Sequence, residues 1–276
     1  MTAAYFGHPV VLAAVLLVAG AAAFRGVWSP CGLSMISAIN PFSERSRGHR
    51  YPMTALWFGI GSVAGGALLG AIGAAGAMVV SALAFGSSTV ALCALVCCLI
   101  TLAADSRSFG VRLPLIPRQV NERWIGGYRR WVYASGFGAQ IGVGLATYVM
   151  TAAVYLTPVL GALSGSAGFA LCAGLVFGLV RGLAVLMSSR AHGPEPLLAL
   201  HRRLAALEPW SLRVTMVVQA GAALLFGWTA DGLPGLIVVG ALLATAAFAR
   251  LARSKPARRI SSDGSDVSRP TPAQVR

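Results

Sequence analysis

The chain has 276 residues, of which 57% are hydrophobic and only 11% are charged. A soluble domain carries about 25% charged residues, so this composition excludes an ordinary soluble enzyme and indicates an integral membrane protein. The net charge of +14 does not indicate a nucleic-acid partner, because the basic residues fall in short segments between apolar runs, where they orient membrane helices.

The apolar runs predict an all-α membrane domain over residues 1–253 with about seven transmembrane helices. A spanning helix needs about 20 apolar residues, and the last two runs are short for a span. The predicted segments are residues 8–40, 54–74, 78–103, 131–156, 167–187, 214–229 and 235–248. Residues 254–276 are polar, basic and rich in Pro and Ser, which predicts a disordered tail.

The placement of the basic residues predicts the orientation of a multi-pass cell-membrane protein. Basic residues follow the first, third, fifth and seventh segments, and the connections between the others lack them. The positive-inside rule then places the N-terminus outside and the C-terminus in the cytoplasm. No Lys or Arg precedes the first apolar run, so we interpret it as a retained helix and not a signal peptide. The basic segments 119–130 and 197–207 are expected to lie at the membrane surface.

The first segment contains a proline near its C-terminal third, in the motif Ser29-Pro30-Cys31-Gly32-Leu33. Proline removes a backbone donor, which predicts a broken helix. Irregular backbone inside lipid survives only where protein or a water-lined cavity covers it. Cys31 is therefore a candidate catalytic thiol, and Pro30 is a candidate substrate-pathway residue. The alternative is that Cys31 is a small apolar residue that packs in the interior.

Two arginines lie inside predicted spans, Arg25 in the first and Arg181 in the fifth. Intramembrane charges are costly and mostly functional, so both are candidate substrate-pathway residues. Arg25 is expected to face the bundle interior, where it would favour the thiolate of Cys31 or bind an anion. Arg181 could instead snorkel to the membrane surface. No acidic residue falls within a predicted span, so water or an anion is the expected partner of each arginine.

The fourth segment carries a stripe of polar side chains at helical spacing. Gln140, Thr147 and Thr151 are candidate substrate-pathway residues, with Tyr155 continuing the stripe. Glycines at 136, 138, 142 and 144 would let a neighbouring helix approach or the helix unwind.

The remaining cysteines are expected to pack as small apolar residues. Cys93 and Cys97 share one helix face, a spacing that could hold a soft metal. No His or Met cluster completes such a site, so no metal and no cofactor is predicted. The other two cysteines are Cys98 and Cys172.

The Pro-Cys motif in the first helix resembles the cytochrome-c-biogenesis and disulfide-reductase membrane family (CcdA/DsbD-like). The resemblance implies two inverted three-helix repeats, with Pro30-Cys31 facing Gln140-Ile141, and transfer of thiol reducing power across the membrane. The family's second redox cysteine corresponds to Gln140-Ile141, so only Cys31 carries over. We therefore expect Cys31 to work without an obligate disulfide partner.

These observations predict a membrane thiol-reductant conduit or an accessory in redox-protein maturation of the cytochrome c type. The alternatives are an exporter of a small solute or ion on the same inverted-repeat scaffold, and a membrane scaffold that transports nothing. The expected partners are the lipid bilayer and either a thiol-redox protein or a small solute. Soluble-enzyme motifs are missing, which favours a transporter or electron conduit over a conventional enzyme.

Overall fold

The computed structural model describes residues 9–106 and 127–254, and every regular element in these ranges is helical. The predicted all-α fold is confirmed. The first eight helices are α1 Pro9–Arg25, α2 Pro30–Ala38, α3 Pro41–Ser46, α4 Tyr51–Ala82, α5 Ser87–Asp105, α6 Arg130–Val143, α7 Ala153–Leu163 and α8 Ala167–Leu183. Short 3-10 turns follow α1 (Gly26–Trp28) and α8 (Ala184–Ser188).

The last helical stretch, Pro194–Ser254, is two helices joined by a sharp reversal. Asp231 (φ −142°, ψ 17°) and Gly232 (φ 64°, ψ −137°) leave the helical region. A Cβ added to Gly235 would lie 2.2 Å from the carbonyl oxygen of Gly227, so the chain folds back on itself. We label the two parts α9 (194–230) and α10 (233–254). The reversal falls between the sixth and seventh predicted segments.

Five helical stretches are long and apolar enough to cross a membrane: Pro9–Trp28, Tyr51–Ala82, Ser87–Asp105, Ala167–Ser188 and Pro194–Ala247. Large apolar side chains on these stretches are exposed, among them Leu17, Leu68, Val217 and Ile237. A long helix that contacts lipid must expose apolar side chains, as these helices do. The chain is therefore a helical membrane protein.

Two predicted segments differ from the helices of the structure. The boundary predicted near residues 75–77 is wrong, because α4 continues to Ala82 and α5 begins at Ser87. The Gly/Ala-rich run around residues 75–77 contains no residue that ends a helix. Its glycines pack against α7 and α8. The segment 131–156 was predicted as one helix, yet α6 ends at Val143 and α7 begins at Ala153.

The segment 197–207 is helical and forms the first turns of α9. Its location at the membrane surface stays a prediction. Leu204 is buried, and the indole Nε1 of Trp28 donates a hydrogen bond of 2.7 Å to its carbonyl oxygen. The predicted tail, from residue 255 onward, and most of segment 119–130 lie outside the described residues.

Close backbone contact places α4 at the centre of the bundle. A Cβ on Gly66 would lie 2.4 Å from the carbonyl oxygen of Gly174 in α8, and one on Gly61 would lie 2.0 Å from that of Ser135 in α6. Small residues allow helices to pack at this distance without side chains between them. α4 therefore holds α6 and α8 close to each other.

Candidate functional site

The first helix is interrupted just before the Pro-Cys motif. α1 ends at Arg25, and Ser29 adopts extended backbone with ψ 152°. The Ser29 hydroxyl accepts a hydrogen bond of 3.0 Å from the backbone nitrogen of Gly32, which caps α2. Pro30 takes the first position of α2, where a missing N–H costs nothing. The predicted break is therefore a capped restart of the helix at Pro30.

A second interruption separates α6 from α7. Gly144 has a φ of 69°, a left-handed conformation that suits glycine. Residues 144–152 are not α-helical, and α7 begins at Ala153. The hydroxyl of Thr151 accepts a hydrogen bond of 3.2 Å from the nitrogen of Ala153, the first residue of α7.

Arg25 lies in the interior and points toward α9. It is 5% exposed, and its Nη1 donates to the hydroxyl of Ser211 at 2.7 Å and to the carbonyl oxygen of Glu208 at 3.1 Å. Its Nη2 lies 3.3 Å from the Glu208 carboxylate. The prediction that this arginine has no acidic partner is wrong, because α9 brings Glu208 to the end of α1.

Asp105, which sequence analysis did not select, joins three parts of the chain. Its carboxylate accepts hydrogen bonds from the Thr151 hydroxyl at 2.5 Å, the Ala152 nitrogen at 2.6 Å and the Gln219 amide at 3.0 Å. It is also an electrostatic neighbour of Arg25. The sequence feature that could have identified Asp105 is a single carboxylate at the end of an apolar run.

Six residues form what we call the polar cluster: Arg25, Asp105, Thr151, Glu208, Ser211 and Gln219. Four of them are buried, whereas Asp105 is half-buried and Glu208 is exposed. The cluster contains two carboxylates and one guanidinium. Buried polar atoms normally have partners, yet Gln219 Oε1, Arg25 Nε and the hydroxyl of neighbouring Thr147 have none among the described residues. Such atoms can bind water or a polar ligand.

The polar stripe that lines this cluster belongs to α9. Glu208, Ser211, Thr215 and Gln219 follow one another at spacings of three and four residues, which places them on one face. The stripe predicted on the fourth segment is not helical, because the chain unwinds between Gln140 and Thr151. Thr147 and Thr151 are buried, whereas Gln140 and Tyr155 are half-buried.

Arg181 joins the two interruptions. It is 3% exposed, and its Nε donates a hydrogen bond of 3.2 Å to the carbonyl oxygen of Ile141 near the end of α6. A Cβ on Gly26 would lie 2.0 Å from its Nη1, so the guanidinium also lies against the first interruption. The alternative of an arginine that snorkels to the surface is wrong, because the side chain is buried between Gly26 and Ile141.

Cys31 is buried in the same apolar cluster as Ile141. Its electrostatic neighbour is Arg181, whereas the hydrogen bonds of Arg25 go to α9. Arg181, and not Arg25, is therefore the arginine beside Cys31.

None of the five cysteines, all of which lie in the described ranges, forms a disulfide. Cys93 and Cys172 are exposed on their helices, and Cys98 is buried. Within residues 9–106 and 127–254, no group of three or more His, Cys, Asp or Glu could hold a metal ion. That Cys31 works without a disulfide partner stays a prediction.

A buried carboxylate also lies in α3, which follows the first interruption along the chain. Glu44 of α3 is 0% exposed. It accepts hydrogen bonds from Thr54 at 2.5 Å, from the Tyr133 hydroxyl at 2.9 Å and from Arg47 at 2.9 Å. His49 lies 3.6 Å from the same carboxylate. Glu44 thus ties α3 to α4 and α6.

Replacement of Glu44 by Gln is expected to lower the free energy of unfolding by about 1–2 kcal/mol, since charge-assisted hydrogen bonds become neutral ones. Thermal unfolding of the purified, detergent-solubilised protein measures this. Glu195→Gln, at an exposed position in the first turn of α9, removes the same charge and is expected to leave the midpoint unchanged. Equal unfolding midpoints for Glu44→Gln and Glu195→Gln would contradict a stabilising role for the hydrogen bonds of Glu44.

Two curated proteins are similar to this chain. The methylamine utilization protein MauF of Paracoccus versutus is 30% identical over 183 residues, which are 63% of this chain and 65% of that protein. MauF of Paracoccus denitrificans is 28% identical over 209 residues, 69% of this chain and 71% of that protein. The chain thus spans about 65% of the length of the first relative. No family model and no solved structure matches it.

The predicted resemblance to the cytochrome-c-biogenesis and disulfide-reductase family is wrong, because the matching proteins belong to a different family. The prediction depended on one short motif, which the structure explains as a capped helix start. Cytochrome c assembly and thiol–disulfide exchange lose their support with it. The chain is a helical membrane protein similar, over 63–69% of its length, to methylamine utilization proteins.

Proposed function

We propose that this protein is a membrane accessory in methylamine utilization that supports the maturation of a redox protein. We propose further that it acts through the polar cluster and not through a pair of thiols. The observation that carries the proposal is the position of Asp105, which joins an interrupted helix to α9 beside Arg25.

The cost of this arrangement supports a functional role. Each buried charge loses its hydration, and its partners recover that free energy only when the geometry is good. Here the buried guanidinium of Arg25, the half-buried carboxylate of Asp105 and the unsatisfied amide of Gln219 lie where apolar residues would pack at lower cost. Polar groups retained inside membrane helices commonly mark a site of action.

The interruptions support the same role. Backbone groups freed by an interrupted helix lie at membrane depth only when protein or water covers them. The Asp105 carboxylate covers one such group, the nitrogen of Ala152. The cluster therefore stabilises the interruption between α6 and α7, and a change in its charge would alter that interruption.

A second candidate function is export of a small solute or ion on the same scaffold. The unpartnered Gln219 Oε1 and Thr147 hydroxyl favour it, because both can accept hydrogen bonds from a ligand. The cluster also has one more carboxylate than guanidinium, which favours a monovalent cation or a neutral donor over an anion.

A growth experiment tests the proposal. The chain is expressed in a methylamine-using bacterium that lacks its own related protein and in which the chain restores growth. Asp105→Asn is expected to abolish growth on methylamine but not on other nutrients, because the cluster then loses a charge opposite Arg25. Cys31→Ala is expected to grow normally. Asp231→Asn, at the exposed reversal after α9, is the matched control.

Two further measurements distinguish the candidates. Immunoblots of membranes must show equal amounts of each variant. In the accessory role, Asp105→Asn cells take up labelled methylamine normally but lack methylamine-oxidising activity. Altered movement of the labelled amine with normal oxidising activity would favour the exporter. Loss of growth with Cys31→Ala, and not with Asp105→Asn, would overturn the role of the polar cluster.

A further inference from the structure

A cleft of about 570 Å³ lies where α8 passes into α9. Its lining includes the exposed arginines Arg190 and Arg203 and the apolar side chains of Leu186, Met187 and Leu200. It has no acidic side chain in its lining. Neither arginine has an ion pair among the described residues, so two guanidinium groups face one cleft without compensation.

The cleft lies at the level where a membrane meets water. It begins at the end of the apolar stretch Ala167–Ser188. On its apolar side, Leu186 is half exposed and continues the exposed face of α8. The cleft thus has a cationic part beside an apolar part that is continuous with the lipid-facing surface.

The backbone around the cleft is held in place. The Ser188 hydroxyl donates to the carbonyl oxygen of Ile39 at 2.9 Å, and the Phe42 nitrogen donates to that of Ala191 at 3.2 Å. These bonds fix the connection between α8 and α9 to the segment that follows α2. The cleft is therefore part of the folded bundle.

We propose that this cleft binds the headgroup phosphate of an anionic phospholipid, with an acyl chain along Leu186 and Met187. Guanidinium groups bind phosphate oxygens in a fixed, bidentate geometry, and basic pockets between membrane helices suit anionic headgroups. A soluble anion would use the same two arginines but would gain nothing from the apolar wall. The inference is independent of the proposed function.

The test is a titration of fluorescent phosphatidylglycerol into the purified protein in uncharged detergent. The double variant Arg190→Gln/Arg203→Gln is expected to weaken binding roughly 30-fold, about fivefold for each arginine. Arg45→Gln/Arg50→Gln removes two exposed arginines from another basic connection and is expected to leave the affinity unchanged. Phosphatidylcholine is not expected to compete.

Three results would overturn the proposal. An equal loss of phosphatidylglycerol affinity in both double variants would mean that only the net charge of the protein attracts the lipid. Unchanged affinity in Arg190→Gln/Arg203→Gln would place the lipid elsewhere. Displacement by inorganic phosphate as efficient as by unlabelled phosphatidylglycerol would assign the cleft to a soluble anion. If the double variant does not fold, a photoactivatable phosphatidylglycerol must label residues 186–203 of the unmodified protein, and labelling elsewhere refutes the site.

Discussion

Gly66→Val is expected to prevent stable folding, because its side chain would enter the backbone of α8. A Cβ at this position already lies 2.4 Å from the Gly174 carbonyl oxygen and 2.7 Å from the Gly178 Cα. Backbone cannot move aside as a flexible side chain can, so the cost exceeds about 3 kcal/mol, the upper end for overpacked interiors. The measurement is the yield of monodisperse protein and its thermal midpoint in detergent.

Gly59→Val is the matched control for this experiment. It lies on the same helix, and a Cβ added there meets no atom within 4 Å. Both variants carry the same reduced helix propensity, so the difference between them reports the α4–α8 contact alone. Similar behaviour of the two proteins would show that the contact does not limit the packing of the bundle.

Gly26→Ala is expected to lower the free energy of unfolding by about 3 kcal/mol. The new methyl group would collide with Nη1 of Arg181, and the displaced guanidinium would lose its hydrogen bond to Ile141. A buried charge and a buried carbonyl would then both lack their partner. Gly20→Ala, inside α1 itself with no atom within 4 Å of the new Cβ, is expected not to lower the free energy of unfolding, since alanine favours a helix over glycine.

A double-mutant cycle isolates the cause of this effect. In an Arg181→Ala background the collision is absent, so Gly26→Ala is expected to cost almost nothing further. An undiminished loss in that background would attribute the effect to the backbone of the 3-10 turn and not to the arginine.

The sequence predicts the membrane class and the first interruption for clear physical reasons. Composition alone separates this chain from soluble proteins, and Pro30 cannot continue a helix that begins upstream. The second interruption was predicted only as one of two alternatives, since glycines such as Gly142 and Gly144 serve equally for packing and for unwinding. Only the structure shows that Gly142 packs on Ser62 whereas Gly144 adopts a positive φ.

The candidate site was predicted only in part. Intramembrane charge selected Arg25 and Arg181, and helical spacing selected Thr147 and Thr151, all of which are buried. Their partners were missed because hydrogen bonds join residues far apart in sequence, such as Arg25 and Glu208. A local sequence pattern does not predict that two such distant residues form a pair.

The α9 stripe shows a different limitation of the sequence. It begins at Glu208, which lies between the predicted surface segment 197–207 and the predicted span 214–229, so the helical spacing was not followed from that span back to this residue. Asp105 was excluded because the predicted third segment ended two residues earlier. Small errors in helix boundaries therefore removed two carboxylates from the predicted site.

The position of Arg181 has a mechanical consequence for the two halves of the chain. One side chain lies against Gly26 in the first half and binds Ile141 in the second. Moving the two interruptions apart would therefore break the hydrogen bond to Ile141 or draw the guanidinium away from Gly26. A single residue on α8, a helix that packs against α4, thus contacts both halves of the chain.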